Sequence, residues 1–187
     1  KKRIKVSSVN LGGGFGIPYD SDDRPLNLKV VSQAYKKFVK RHNIKLMLEP
    51  GRFVVGNGGY IITRIISIKK RNRMPLYIID AGMTENPRPA LYGAFHNIVP
   101  LNKSRRPKYQ TRVAGPLCEN SDEFGCYKLP KLKLGDLLMI KNCGAYTRTM
   151  ASNYNGRLLP AEYLFDKRLI MIRKQQNFRT LIRDEKY

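Results

Sequence analysis

The sequence predicts an α/β unit followed by a mostly β domain. Two observations carry this. Up to about residue 48 strand-like and helical stretches alternate, and after Arg52 short apolar runs follow one another between Gly and Pro turns with no long helix among them. Ile4 to Leu11 reads as a short strand that runs into Gly12-Gly13-Gly14-Phe15-Gly16. A polar turn, Pro18 to Pro25, leads to Asn27, a capping residue. Behind it Leu28, Val31, Ala34, Tyr35, Phe38 and Val39 recur at helical spacing, opposite Lys29, Lys36, Lys37 and Lys40. His42 at the end of this helix suits a capping role, because the helix dipole favours a cation there.

A second strand, Ile44 to Leu48, stops at Glu49-Pro50-Gly51-Arg52. Strand, helix, strand is the grammar of a parallel sheet or barrel, where functional groups collect at strand C-termini; the glycine triplet and the Glu-Pro-Gly-Arg turn both lie at such ends. Further on, Phe53–Val55, Tyr60–Ile68, Leu76–Asp80, Arg112–Ala114, Leu137–Lys141 and Glu162–Phe165 read as strands, and Arg88–His96 and Phe178–Glu185 as short helices. The change of pattern puts a boundary near residues 56 to 65 and divides the chain into 1–60 and 61–187. Two strands and one helix neither cover a sheet nor close a barrel. Residues 1–60 are therefore expected to expose apolar surface that an N-terminal partner would bury.

Composition narrows the function classes. Apolar residues make up 42% of the chain, with 15 Gly and 11 Pro, as in a turn-rich globular protein. No apolar run reaches membrane-spanning length, and the basic start has neither the apolar stretch nor the cleavage site of a signal peptide. Cys118, Cys126 and Cys143 are odd in number and fit neither a disulfide framework nor a zinc site, which favours a reducing cytoplasm and no metal. The net charge of +22 raises the question of nucleic acid or another polyanion. The basic residues are spread along the chain, however. The densest clusters, Lys69–Arg73 and Lys103–Lys108, lie between apolar runs as loops do, so a solvated basic surface carries more weight than a nucleic-acid module.

Five motifs can carry chemistry. Gly12, Gly13 and Gly14 let backbone N–H groups approach an anion, or simply make a tight turn. Glu49 beside Pro50, Gly51 and Arg52 is either an ion pair or a carboxylate and a guanidinium set on a ligand. In Asn86-Pro87-Arg88-Pro89-Ala90-Leu91-Tyr92 the prolines fix the backbone around Arg88; the arginine is then solvent-exposed and Tyr92 packed, or both clamp a carboxylate. His96 reads as structural. In Gly115-Pro116-Leu117-Cys118-Glu119-Asn120-Ser121-Asp122 a thiol stands beside a carboxylate in a loop, the type of setting in which cysteine becomes reactive. Tyr146, in Gly144-Ala145-Tyr146 after an apolar run, either packs or gives its hydroxyl to a phosphate.

Taken in this order, with Leu11 to Tyr19 and Ser152-Asn153-Tyr154-Asn155 added, these segments resemble the diaminopimelate decarboxylases, from about Val6 to the C-terminus. The resemblance implies the C-terminal portion of a pyridoxal 5'-phosphate (PLP)-binding (β/α)8 barrel followed by a β-barrel or sandwich-like domain. It implies decarboxylation of meso-2,6-diaminopimelate to L-lysine, in a homodimer with sites shared across the interface. Gly12, Gly13 and Gly14 would cradle the PLP phosphate, with Tyr146 touching it. Glu49 would face the pyridine nitrogen, with Pro50, Gly51 and Arg52 also at the cofactor. Arg52, Arg88 and Tyr92 would bind the substrate carboxylate, Tyr146 would contact the substrate as well as the cofactor, Glu119 would bind the distal ammonium, and Cys118 would donate the proton. An ornithine- or arginine-type decarboxylase of the same fold is the alternative; the glutamate at 119 favours diaminopimelate. The family anchors PLP on a lysine far upstream of the glycine triplet, and no segment here corresponds to it. The chain is thus expected to be a C-terminal half, inactive alone and completed by an N-terminal half.

Overall fold

The computed structural model describes residues 5–20, 22–71, 74–102 and 106–186. Ile4 and parts of both basic clusters lie outside the described residues. The first unit is β1 (Ser8–Asn10), α1 (Leu28–His42) and β2 (Lys45–Met47), with β1 and β2 parallel and Val9 opposite Leu46. Asn27 caps α1 as its residue type demands: its side-chain oxygen accepts from the N–H of Lys29 and Val30 at 3.1 and 3.3 Å. No residue of α1 is buried. Val31, Tyr35, Phe38 and Val39 are half-covered, whereas Leu28 and Val30 face solvent, as do Leu11, Met47 and Val54 nearby.

The expected strand at Phe53–Val55 is instead one helical turn, α2 (Gly51–Val55), continued by a 3-10 turn at Gly56–Gly58. Valine and phenylalanine favour strands, but Pro50 starts a turn whose carbonyl accepts from the Val54 N–H at 3.1 Å. Phe53 then packs its ring edge against Phe15, 6.2 Å between centroids. Local closure and one aromatic contact override the propensity.

The second unit is a six-stranded sheet of β3 (Ile61–Arg71), β4 (Met74–Ile79), β5 (Ile98–Pro100), β6 (Lys108–Ala114), β7 (Glu123–Pro130) and β8 (Leu137–Ile140). The strands lie in the order β5-β8-β3-β4-β6-β7, antiparallel except for the parallel pair β4–β6. The two edge strands touch, so the sheet is nearly closed. Tyr127 on β7 reaches across and donates its hydroxyl to the carbonyl of His96, just before β5, at 3.0 Å. Ile65, Ile79, Ile98, Val113, Leu138 and Ile140 point inward and are buried to 2% exposure or less. Each contributes roughly 1.5–3 kcal/mol by leaving water. The remaining helices are the short α3 (Arg88–Tyr92), α4 (Thr147–Met150) and α5 (Phe178–Leu181), and β9 (Glu162–Asp166) pairs with β10 (Arg168–Arg173) as a separate hairpin. Leu164, Phe165, Leu169 and Ile172 of that hairpin are exposed. The helix expected over Arg88–His96 stops at Tyr92 because Gly93 adopts a left-handed φ of 60°, and that over Phe178–Glu185 ends at Leu181.

The two units meet through glycine. Cys143 donates its N–H to the Gly59 carbonyl at 2.8 Å and Gly144 to that of Gly56 at 3.0 Å. A Cβ on Gly144 would run into the Val55 carbonyl oxygen, and one on Gly59 into the Gly144 backbone. Backbone cannot step aside as a side chain can. Gly144→Ala is therefore expected to lower stability by about 1–3 kcal/mol in urea unfolding.

Candidate active site

Asn10 lies at the end of β1, where the chain turns into the glycines. Its side-chain oxygen accepts from the Gly12 N–H at 2.8 Å, and its amide nitrogen donates to Glu49 Oε1 at 2.6 Å. One side chain thus shapes the turn and aims the carboxylate. Sequence reasoning missed it; the signal was a polar amide closing a strand immediately before a glycine turn. Gly12 and Gly14 have φ of 68° and 83°, open to glycine at little cost. Gly13 needs to be glycine for another reason: a Cβ there would stand 2.7 Å from the Glu49 carbonyl oxygen. Neither Gly13 nor Gly14 donates its N–H to any acceptor among the described residues.

Gly13, Gly14, Glu49, Pro50, Gly51, Arg52 and Tyr146 line one cleft of about 150 Å³, together with Phe15 and Gly16. Gly12 flanks it. Tyr146 is half-exposed and is not packed in the core; its ring lies 5.7 Å from the Arg52 guanidinium carbon. Its φ of 68° is unusual for a residue with a side chain and costs on the order of 1–3 kcal/mol. The two hydrogen bonds at Cys143 and Gly144 hold the segment that carries it. Free backbone N–H groups, a guanidinium and a phenol fit a phosphate, and an oriented carboxylate fits a protonated ring nitrogen. The cleft is smaller than the ~300–1,000 Å³ typical of sites that enclose a whole small molecule. It suits the phosphate-bearing end of a cofactor. No lysine lines it.

Arg88 is not solvent-exposed: 5% of its surface is accessible, and it donates from Nη1 to the Tyr19 hydroxyl at 3.0 Å. Tyr92, by contrast, is 67% exposed and not packed. Cys118 and Glu119 sit on the loop between β6 and β7, outside the cleft lining. Cys118 is exposed, and Glu119 Oε1 accepts from the Ser121 N–H and hydroxyl at 3.3 and 3.2 Å.

Asp122 builds that loop, and nothing in the sequence reading singled out its role. Its carboxylate is 3% exposed and accepts from the N–H of Met83 at 2.6 Å and of Leu117 at 2.8 Å. It occupies the space that a Cβ on Gly82 or on Gly115 would need. Burial raises its pKa, against the pull of those two N–H donors. Beside it, Glu85 accepts from the Gly82 N–H at 2.7 Å and pairs with Arg157 at 3.1 Å. The loop carrying Cys118 and the turn leading to Arg88 are thereby tied together.

Comparison with known proteins gives this arrangement its context. Residues 20–144 match the family described as pyridoxal-dependent decarboxylase, C-terminal sheet domain, and the chain belongs to that family. Among its relatives, the diaminopimelate decarboxylase of Neisseria meningitidis serogroup A is 39% identical over 163 residues, which cover 87% of this chain and 40% of the relative. The crystal structure of diaminopimelate decarboxylase from M. jannaschii superposes with a TM-score of 0.91 at 36% identity, covering 98% of this chain and 44% of that one. A crystal structure of SrLDC in complex with PLP and cadaverine superposes at 0.71 with 27% identity, covering 82% of this chain and 40% of that one. The chain spans 39–49% of the length of the curated relatives it matches. The expected fold class holds: the architecture is that of diaminopimelate decarboxylase structures, barrel strands followed by a sheet domain.

Two outcomes follow. Asp122→Asn keeps one acceptor oxygen where two N–H groups need one each. Faster hydrogen exchange at Leu117 or Met83 is expected, with a loss of about 1–3 kcal/mol in the local opening energy. His96 is fully buried, and its pKa is lowered, first by burial and then by Arg88 and Arg52, with the Lys141 carbonyl opposing. The unfolded chain therefore takes up a proton near pH ~6.5 while the folded one does not. Stability is present above that pH and falls as pH drops towards the folded pKa. A thermal midpoint that declines from about pH 7 to pH 5, with a shallower decline in His96→Gln, is the expected result.

Proposed function

We propose that this chain supplies part of the active site of a PLP-dependent decarboxylase that converts meso-2,6-diaminopimelate to L-lysine. The observation that carries this reading is one cleft lined by Gly13 and Gly14, whose N–H groups have no acceptor among the described residues, and by the Asn10-aimed Glu49. The names of relatives at 34–39% identity support the substrate. PLP, when bound, supplies an electron sink for the bond that breaks. The residues of this chain take the following roles. Gly12, Gly13 and Gly14 hold the phosphate, with Tyr146 against it. Glu49, set by Asn10 and the Pro50-Gly51 turn, keeps a proton on the pyridine nitrogen. Arg52, Arg88 and Tyr92 bind the retained carboxylate, and Glu119 uses its second oxygen for the distal ammonium. Cys118 delivers the proton that replaces carbon dioxide.

The cofactor-anchoring lysine would come from outside these 187 residues, so the chain by itself would not turn over. Cys118 and Glu119, standing apart from the cleft, would serve the site of a second subunit in a homodimer. The free state of all three cysteines supports a reducing, cytoplasmic setting. The sheet membership of the strands from Ile61 onward supports the division into 1–60 and 61–187. Among the described residues no helix is long and apolar enough to cross a membrane.

Cys118→Ala in the holoenzyme containing this chain tests the assignment. The variant is expected to keep the PLP absorbance and to lose kcat by roughly 10²–10⁴-fold, the usual worth of a positioned acid. Full turnover would remove Cys118 as the donor. Rates on ornithine, arginine and diaminopimelate, compared side by side, decide the substrate.

A further inference from the structure

Arg88 is the most enclosed of the cations assigned here to substrate, and its surroundings are unusually complete. Both Nη1 hydrogens are engaged: one reaches the Tyr19 hydroxyl at 3.0 Å, the other His96 Nε2 at 3.3 Å. The other ring nitrogen of His96, Nδ1, lies 3.0 Å from the Lys141 carbonyl oxygen. A carbonyl only accepts and a guanidinium only donates. These two partners therefore fix one tautomer: the proton sits on Nδ1, and the lone pair of Nε2 faces Arg88. The imidazole is also held mechanically. Its ring meets the Tyr19 ring edge to face at 5.5 Å, and its own carbonyl accepts from Tyr127.

With Nη1 occupied, the Nε and Nη2 edge of Arg88 has no partner among the described residues. That edge carries two parallel N–H bonds, the geometry that grips a carboxylate with both oxygens. We propose that His96, neutral and protonated on Nδ1, is a positioning residue that turns the Nε/Nη2 edge of Arg88 towards the substrate carboxylate. The proposal rests on the reading of Arg88 as a substrate-binding group and adds what sets its orientation. A histidine suits this position better than an amide. Asn would have to reach the Lys141 carbonyl and Arg88 at once from a shorter side chain, whereas the two imidazole nitrogens point to opposite sides. Tyr19 ties the same arginine to the segment that follows the glycine turn, so cofactor cradle and carboxylate clamp share one frame.

The charged and titratable groups facing His96 all favour the neutral ring. Arg88 on α3 and Arg52 on α2 are both cationic. Tyr19 presents its ring. Cys143, with Sγ 3.8 Å from Nδ1, is a thiol that burial pushes up to about 12, so it brings no negative charge. Tyr127 meets only the His96 carbonyl. A proton on Nε2 would point an N–H at an N–H of Arg88 and release the guanidinium.

The test uses two variants and one spectrum. In the holoenzyme containing this chain, His96→Asn keeps a donor near the Nδ1 position and loses the acceptor. KM for diaminopimelate is expected to rise about tenfold or more while kcat stays within about twofold, the signature of lost uniform binding. His96→Gln places an amide oxygen near the Nε2 position and should bring KM part of the way back. Equal KM in His96→Asn and the unaltered enzyme, or a loss confined to kcat, would overturn the proposal. Nitrogen NMR of the unaltered protein stands apart from folding and turnover of the variants. Hydrogen on Nδ1 and none on Nε2 at neutral pH is expected; the reverse tautomer or a doubly protonated ring overturns it. If the holoenzyme decarboxylates none of the three amino acids, the functional reading fails, and the spectrum still decides the arrangement of His96 and Arg88.

Discussion

The cleft depends on two backbones being allowed to touch. Gly144 follows the last strand of the six-stranded sheet and lies against residues 55–59, which follow the Glu-Pro-Gly-Arg turn. Because neither Gly59 nor Gly144 carries a Cβ, the main chain at 143–144 donates directly to the carbonyls of Gly56 and Gly59, with nothing between them to bend. From this seam the rest is placed. Tyr146, two residues on, comes over Arg52, and Gly51 and Glu49 face the glycines on the other wall. A seam of side chains would leave rotamer freedom in the joint; a seam of main chain leaves almost none. The hydrophobic core of the sheet supplies most of the stability, but the seam determines where the phenol meets the glycine turn.

The residues around the site divide by how fully they are satisfied. Asn10, Asp122 and His96 spend their hydrogen-bonding capacity on the protein itself and hold a neighbour in place. Tyr92, Cys118 and Tyr146 are exposed, and the Gly13 and Gly14 N–H groups are unpartnered among the described residues. The role of groups of the first sort is hard to read from sequence, even for Asp122 inside a motif, because their task is geometric. Groups of the second sort stand out in the motifs, because their chemistry is left unspent on the fold.

That division also explains what could be read from the sequence. The helix over Leu28–His42 and its Asn27 cap were legible, since capping chemistry and a 3.6-residue period are local. Strands β4, β6 and β8 were legible from alternating or short apolar runs. β7 was not, because Gly125, with φ 110°, sits opposite a register shift and breaks the two-residue period between Phe124 and Tyr127. The Phe53–Val55 turn was misjudged because its cause, the Pro50 carbonyl and the Phe15 ring, is one of position and not of propensity. Of the residues at the cleft, the glycines, Glu49, Arg52 and Tyr146 belong to segments the sequence already marked out. That Arg88 would be enclosed between Tyr19 and His96 could not be read there, since those partners are 69 and 8 residues away and only the fold assembles them.

The carboxylate of Asp122, set between Gly82 and Gly115, has a consequence for how this sequence can change. Either glycine can gain a side chain only if the carboxylate leaves, and the carboxylate cannot leave without stranding the N–H groups of Met83 and Leu117. Each single step out of the arrangement is costly, whichever residue moves first. The three positions therefore behave as one heritable unit, in which the effect of any substitution depends on the other two. The thiol loop they brace can drift in its exposed residues, at Asn120 for instance, while its footing stays locked by epistasis.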